Sequence, residues 1–409
     1  MRKYLEVTLG ILSAIGGFVD IGDLVANAAT GARFRWGLAW VVPVGVLGII
    51  LFAEMSGRVA ALSRRGTFDL VRERLGPRVA LGNLLASLFV TFLTLIAEVA
   101  GIALALELAT SVSYLLFVPV CAALVWIVVW RVRFDTMERV FGLLGLALIV
   151  FAVAAWRLVG DWGPVLHEAA HPAVAGSEGH ATYWYYAIAL FGAAMTPYEV
   201  FFFSSGAVEE RWDRSDLVVN RANVLVGFPL GGLLSLAIMT CAAVVFAPRS
   251  IGVASLAQVG LPVGVALGRI GLVVAILGFF AATFGAALET ALSVGYTVAQ
   301  YFGWPWGKAE PPRRAARFHV TVLAAIVLAA AAALTTIDPV KVTEYSIVFS
   351  AVALPLTYFP ILVIANDPAY VGDQVNRPWT NVLASAYLVL ILVVAVAAIP
   401  LMIATKAGA

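Results

Sequence analysis

The chain has 409 residues, of which 62% are hydrophobic and only 12% charged, and its formal net charge is +2. That composition excludes a soluble globular domain and leaves no excess of positive charge for nucleic acid, and the mean hydropathy of +0.97 points to a protein whose solvent is largely lipid. Two cysteines, Cys121 and Cys241, lie singly in apolar runs and provide neither a disulfide framework nor a thiolate metal site.

Runs of at least ~17 apolar residues are long enough to cross a bilayer. They fall near 6–33, 37–62, 80–108, 112–130, 137–159, 182–208, 219–247, 262–302, 316–336, 339–365 and 380–404, which predicts an all-α integral membrane protein of about eleven spans. The first run has no small-residue cleavage site after a short core, so it reads as a retained span. The run at 262–302 is too long for one crossing and should carry an interfacial piece at its start. No soluble domain and no low-complexity linker interrupts the single domain 1–409.

Two of these spans are broken. Leu9 to Val19 is apolar, Asp20-Ile21-Gly22-Asp23 interrupts it, and the helical pattern resumes at Leu24. A carboxylate at the bilayer centre costs roughly 2.5 to 3.5 kcal/mol by insertion scales, so such residues face a cavity and a cation in preference to lipid. Gly22 weakens the helix there, and an unwound backbone offers carbonyl oxygens beside the two acids. The second break is Thr196-Pro197-Tyr198-Glu199, where Pro197 removes a backbone donor. Broken helices in corresponding positions of two halves are a pointer to a transporter substrate site near the midplane.

The first break opens a group of five spans, the second opens another five, and one span follows. The pattern predicts inverted repeats over roughly 1–160 and 180–366, with an extra helix at 380–404. With the N-terminus inside, the loops near 63–79, 131–139, 209–221, 304–317 and 366–379, their adjoining span ends, Arg2 and Lys3 hold 19 of the 26 Lys and Arg residues. The positive-inside rule therefore predicts an inside N-terminus and an outside C-terminus. The opposite face carries Asp161, Glu168 and Glu178.

The order Asp20-Ile21-Gly22-Asp23, Asn27, Thr30-Gly31-Ala32, Phe34 and Trp36 resembles the first helix of the NRAMP superfamily of divalent-metal transporters. Gly192-Ala193-Ala194-Met195-Thr196-Pro197-Tyr198-Glu199 resembles its sixth, with further matches at Ala97-Glu98-Val99-Ala100-Gly101 and Leu354-Pro355. The resemblance implies the LeuT fold and a transported metal held by Asp20, Asp23, Thr196 and Glu199, with the carbonyls of Gly17 and Ala193 as candidates by family position. It departs from the family in one direction: a metal-binding Asn becomes Asp23, a thioether Met becomes Thr196, a His becomes Tyr198, and Glu199 is added. Each change goes from softer to harder donors, which suit Mg²⁺, Ca²⁺ and Mn²⁺. The pattern is similar to that of the NRAMP-related magnesium transporters. It implies carriage of hydrated or partly hydrated Mg²⁺, and also Mn²⁺, across a bacterial cytoplasmic membrane, with no other cofactor, no nucleic-acid partner and no implied oligomer. The family's proton-handling positions are Leu95 and Tyr198 here, so proton coupling is expected to be weak or absent. The alternative is a proton-coupled Mn²⁺/Fe²⁺ importer; an amino-acid symporter is disfavoured because three acids would repel its carboxylate.

Glu98, alone in an apolar span, reads as a cavity-lining or coupling residue, as do Tyr198 and Glu289, although Glu289 has the option of a structural Arg partner. Glu54 has Arg58 at i+4 and reads as a structural pair. His167-Glu168-Ala169-Ala170-His171 spells the H-E-x-x-H pattern of zinc metalloproteases. A protease needs a helix of several turns and a third ligand in a closed cavity, and Pro172 disfavours continuation beyond His171. No phosphate-cradling G-x-x-x-x-G-K-S/T loop appears, so ATP-driven transport is not expected and the chain does not read as an enzyme. The glycines at 227, 231 and 232 fit close helix packing.

Overall fold

In the computed structural model the described residues are 18–172, 179–335 and 338–408. They form helices α1 (Ile21–Phe34), α2 (Val41–Ser63), α3 (Thr67–Leu75), α4 (Pro77–Thr110), α5 (Tyr114–Arg131), α6 (Phe134–Gly145), α7 (Ile149–Leu158) and α8 (Trp162–Ala170). They continue with α9 (His180–Ala194), α10 (Pro197–Glu209), α11 (Leu217–Ala222), α12 (Phe228–Val245), α13 (Leu256–Phe302), α14 (Ala316–Ala333), α15 (Pro339–Ala365), α16 (Pro368–Val371) and α17 (Pro378–Ala404). Ten helical stretches among the described residues are long and apolar enough to cross a membrane. The first broken span is not among the ten, because most of its N-terminal half lies outside the described residues and α1 alone has 14 residues.

Both expected breaks are present, each slightly displaced from the expected point. Val19 and Asp20 are non-helical and α1 begins at Ile21, so Gly22 is inside the first turn instead of at the break. The reason is a cap: the Asp20 side chain accepts the Asp23 N–H at 2.8 Å, satisfying one of the free donors at a helix start. At the second break Met195 and Thr196 are non-helical, and Pro197 is the first residue of α10, where its fixed φ and missing N–H cost nothing.

The long run at 262–302 is one long helix in two pieces. The helix starts at Leu256 with a Ser255–Gln258 capping box, and its backbone leaves helical geometry at Gly268, φ 69°. The first piece folds against the second, since a side-chain carbon at Gly260 would stand 3.2 Å from Phe279.

The core is built from pairs of helices that α1, α4, α12, α13 and α15 make with one another. α1 lies against α12 so closely that a Cβ on Gly31 would stand 2.2 Å from the Met239 carbonyl oxygen, and α9 approaches α15 at Gly192 in the same way, 2.5 Å from the Ile347 carbonyl. Small residues let backbones meet where lipid gives no hydrophobic drive. Gly231 and Gly232 pack likewise, against Phe18 and Val46. α1 is thereby buried along its whole length except at Arg33, which is half-buried, and its C-cap, Arg35, is exposed.

Candidate metal site

The two breaks meet. The Tyr198 hydroxyl, in the first turn of α10, donates to Asp20 Oδ2 at 3.0 Å, closing the space between the starts of α1 and α10. Beside this contact is a small cavity lined by Asp20, Ile21 and Gly22 from the first break and by Ala193 and Thr196 from the second. Ala193 belongs to the last turn of α9, where backbone carbonyls have no partner within the helix. α4 and α15 complete the wall with hydroxyls: Thr94, Thr343, Ser346 and Ser350. Thr94 and Ser346 are hydrogen-bonded to each other at 2.7 Å.

Every polar side-chain group on this cavity is an oxygen. Met195, the residue before Thr196, does not contribute its sulfur: Sδ packs over Gly48 of α2, whose Cβ would stand 2.5 Å from it, and near the ring of Tyr387. Thr196 itself lines the cavity, and its hydroxyl donates to Glu199 Oε2 at 3.4 Å.

The structure does not bring Asp20, Asp23 and Glu199 onto one point. Asp23 is a turn further along α1 and faces α12, where Ser235 donates to Oδ2 at 2.6 Å and Asn27 donates to Oδ1 at 2.8 Å. Glu199 lies behind Thr196. Among the described residues no three His, Cys, Asp or Glu side chains are grouped closely enough to hold one ion by themselves. Gly17 lies outside the described residues.

The acids do share one electrostatic region. Asp20, Asp23, Glu98, Glu199 and Glu289 are all buried, at 9% exposure or less. Glu98, Glu199 and Glu289 are each near enough to Asp20 to feel its charge. Glu98 Oε1 accepts the N–H of Ile21 at 3.1 Å, so α4 holds the start of α1, while Oε2 has no partner among the described residues. Glu289 has no Arg or Lys partner among the described residues. The buried side chains there that carry a basic nitrogen are Arg58 and His319. Arg58 is bound to Glu54, at 3.2 Å, as the i+4 spacing suggested, and His319 is at the start of α14. Five buried carboxyl groups with no cation among the described residues beside them leave a charge deficit that protons or a cation would fill.

Several residues of the site were not singled out by the sequence. Thr94, Thr343, Ser346 and Ser350 line the cavity, Ser235 holds Asp23, and Tyr358 is buried near Glu199 with its hydroxyl unpartnered. The spacing of Thr343, Ser346, Ser350 and Thr357 on α15 is a helical stripe of hydroxyls and was the available clue.

The H-E-x-x-H stretch is elsewhere. α8 has nine residues and ends at Ala170, His167 and His171 are exposed, and Glu168 pairs with Arg35 at 3.6 Å. A protease centre would need that Glu free beside the ion and inside a cavity.

Paired helix breaks meeting at a buried acidic cavity, within a bundle of membrane-length helices, define an integral membrane protein of the LeuT fold. The family model described as "Natural resistance-associated macrophage protein-like" matches residues 10–400, and the chain belongs to that family. A divalent metal cation transporter MntH of Pediococcus pentosaceus is 25% identical over 404 residues, covering 94% of this chain and 88% of its own length. The metal transporter NRAT1 of Oryza sativa is 30% identical over 236 residues, 54% of this chain and 40% of its own. Among solved structures, the Eremococcus coleocola manganese transporter superposes with a TM-score of 0.74 at 18% identity, covering 98% of this chain and 87% of that one. MhsT in complex with L-phenylalanine superposes with a TM-score of 0.65 at 16% identity, covering 95% and 98%. At such identities the likeness is one of fold.

Proposed function

We propose that this protein is a secondary transporter of divalent metal ions that works by alternating access, with Mg²⁺ as its main cargo and Mn²⁺ as a second. Relatives along nearly the whole chain are named as divalent metal cation transporters. The observation that carries the Mg²⁺ reading is the donor set: the polar side chains on the cavity are carboxylate and hydroxyl, with Ala193 at the carbonyl end of α9 beside them, while the adjacent thioether, Met195, packs on Gly48. Oxygen donors suit Mg²⁺ and Mn²⁺, and thioether is the ligand that favours softer transition ions.

Mg²⁺ gives up its waters reluctantly. In this reading Asp20, Thr196 and the Ala193 carbonyl, with Gly17 from the preceding half-helix, meet the partly hydrated ion. Asp23 and Glu199 act from its flanks through retained water, and Thr94, Ser346 and Ser350 receive the water shell. Glu98 and Glu289 lend charge to the inner route. The two five-helix repeats, 1–160 and 180–366, each contribute one break, and rocking of one repeat against the other exposes the cavity to either side. The arginine-rich loops face the cytoplasm, so the N-terminus is inside and the C-terminus outside.

Tyr198 donates to Asp20 where the family pattern has a titrating imidazole, which supports metal movement without stoichiometric proton movement. A proton-coupled Mn²⁺/Fe²⁺ importer is the second reading, and the unpartnered Glu98 Oε2 is the observation in its favour. Uptake into proteoliposomes of Mg²⁺, Mn²⁺ and Ca²⁺, read together with an internal pH dye, separates the two. Mg²⁺ entry without acidification is expected. Stoichiometric, metal-dependent acidification with Mg²⁺ excluded would replace this reading by the second.

A further inference from the structure

We infer that His167 and His171 form a second metal site, one for imidazole-preferring ions such as Zn²⁺ or Ni²⁺, separate from the cavity between the breaks. The two residues stand four apart at the end of α8, a spacing that puts side chains on one helix face. Their rings are stacked with centroids 4.4 Å apart and an angle of 22° between planes, both on exposed surface. Rotation of one ring brings two lone pairs onto a common ion.

The hydrogen bonding selects the ligating nitrogen. Nδ1 of His171 lies 2.9 Å from the carbonyl oxygen of His167. A carbonyl only accepts, so Nδ1 carries the proton and Nε2 keeps its lone pair directed outward; the tautomer is assigned from that bond. An imidazole whose second nitrogen donates to a backbone carbonyl is the usual arrangement of a metal-bound histidine. Glu168, between the two, is held by Arg35, so the site consists of two histidines and water.

The two sites divide ions by chemistry. Imidazole suits Zn²⁺, Ni²⁺ and Cu²⁺, whereas the oxygen-lined cavity suits Mg²⁺ and Mn²⁺. They are also connected, because Glu168 binds Arg35, the residue that caps the C-terminus of α1 by donating its N–H to Gly31 O. The histidine site is therefore one ion pair away from the helix that carries Asp20.

The test is calorimetric titration of the purified full chain with Zn²⁺ in the presence of saturating Mg²⁺. Wild type and Asp20→Asn should each show one Zn²⁺ site. The double variant His167→Ala/His171→Ala, which removes both protein ligands, should lose the Zn²⁺ site, while its Mn²⁺ uptake, equal to wild type, reports an intact fold. Unchanged Zn²⁺ affinity in the double variant, or no Zn²⁺ binding to wild type, would overturn the site. Loss of Zn²⁺ binding in Asp20→Asn alone would assign the ion to the transport cavity instead. Failure of Mg²⁺ uptake in the wild type bears on the transport reading and leaves this titration intact.

Discussion

Asp20→Asn separates two roles that the geometry gives to one carboxylate. Asp20 Oδ1 caps α1 by accepting the Asp23 N–H at 2.8 Å, and Oδ2 accepts the Tyr198 hydroxyl at 3.0 Å. Asparagine caps a helix as well as aspartate does, and its amide NH₂ can donate to the Tyr198 oxygen in place of the lost acceptor. Stability should therefore change by no more than about 1 kcal/mol, the net worth of one hydrogen bond. The charge has no such replacement. At roughly 4 Å and an effective dielectric constant of about 20, one carboxylate and a dication attract by about 8 kcal/mol. If lost hydration offsets two-thirds of that, nearly 3 kcal/mol remains, roughly a hundredfold in affinity. Asp20→Ala loses the cap as well, at a further cost of about 1 kcal/mol in stability. The assay pairs Mg²⁺ and Mn²⁺ uptake in proteoliposomes with thermal unfolding of the same preparations. The Asn variant should melt like wild type with apparent affinity weakened on the order of a hundredfold, and the Ala variant should be equally inactive and less stable. Wild-type uptake by the Asn variant would refute the placement of Asp20 on the ion.

Thr196→Met returns a thioether to the cavity and should move preference from Mg²⁺ toward Mn²⁺ and Cd²⁺; competition between these ions for uptake measures it, and an unchanged order would separate residue 196 from selectivity. Gly31→Ala puts a carbon 2.2 Å from the Met239 carbonyl and should cost at least about 2 kcal/mol in stability. Gly82→Ala on α4 meets nothing within 4 Å and should be neutral or slightly stabilising, a contrast readable by thermal melting. Asp69, in the short α3 helix of the arginine-rich loop, has its carboxyl pushed up to about 6 by burial, against the pull of Arg65 and Arg72. The unfolded chain ionises near 3.8, so between these values the folded form holds more protons and stability falls as pH rises through the interval. The melting temperature of Asp69→Asn relative to wild type should accordingly climb between pH 4 and pH 7, and a pH-independent difference would exclude Asp69 as the cause.

The parts of the fold legible in the sequence were those that violate the chemistry of a membrane span. Asp20, Asp23, Thr196 and Pro197 interrupt apolar runs, and a charge or a missing donor at that depth is costly enough to force a local explanation. That is why both breaks and their adjacency were readable. The register of the first break was not: Gly22 is the weaker helix former, but Asp20 captured the Asp23 N–H as an N-cap and set the helix start at Ile21. The histidine pair illustrates the opposite case, since the five-residue pattern is plain in the sequence while its geometry on a nine-residue helix is not that of a protease.

Hydroxyl residues of the cavity escaped notice for a physical reason of their own. A Ser or Thr in an apolar helix satisfies itself by bonding the carbonyl four residues back, as Thr343 does to Pro339 at 2.8 Å and Thr290 to Ala286 at 2.7 Å, so its presence costs little and signals little. Only when a second helix brings another hydroxyl opposite, as Ser346 of α15 meets Thr94 of α4, does the pair become a wall suited to a water shell. The same limit applies to the sixth-span break. Met195 and Thr196 are neighbours in sequence, and either could have faced the cavity; Thr196, with extended backbone at φ −70° and ψ 134°, lines it while the Met195 sulfur packs on Gly48. On the proposed reading, ion preference would follow from which of these two neighbours lines the cavity. Substitution of Gly48 by Ala, which would put a carbon 2.5 Å from that sulfur, tests it: the displaced Met195 should disturb the break and weaken Mg²⁺ uptake, while unaltered uptake at wild-type stability would show that Met195 does not set the register of Thr196.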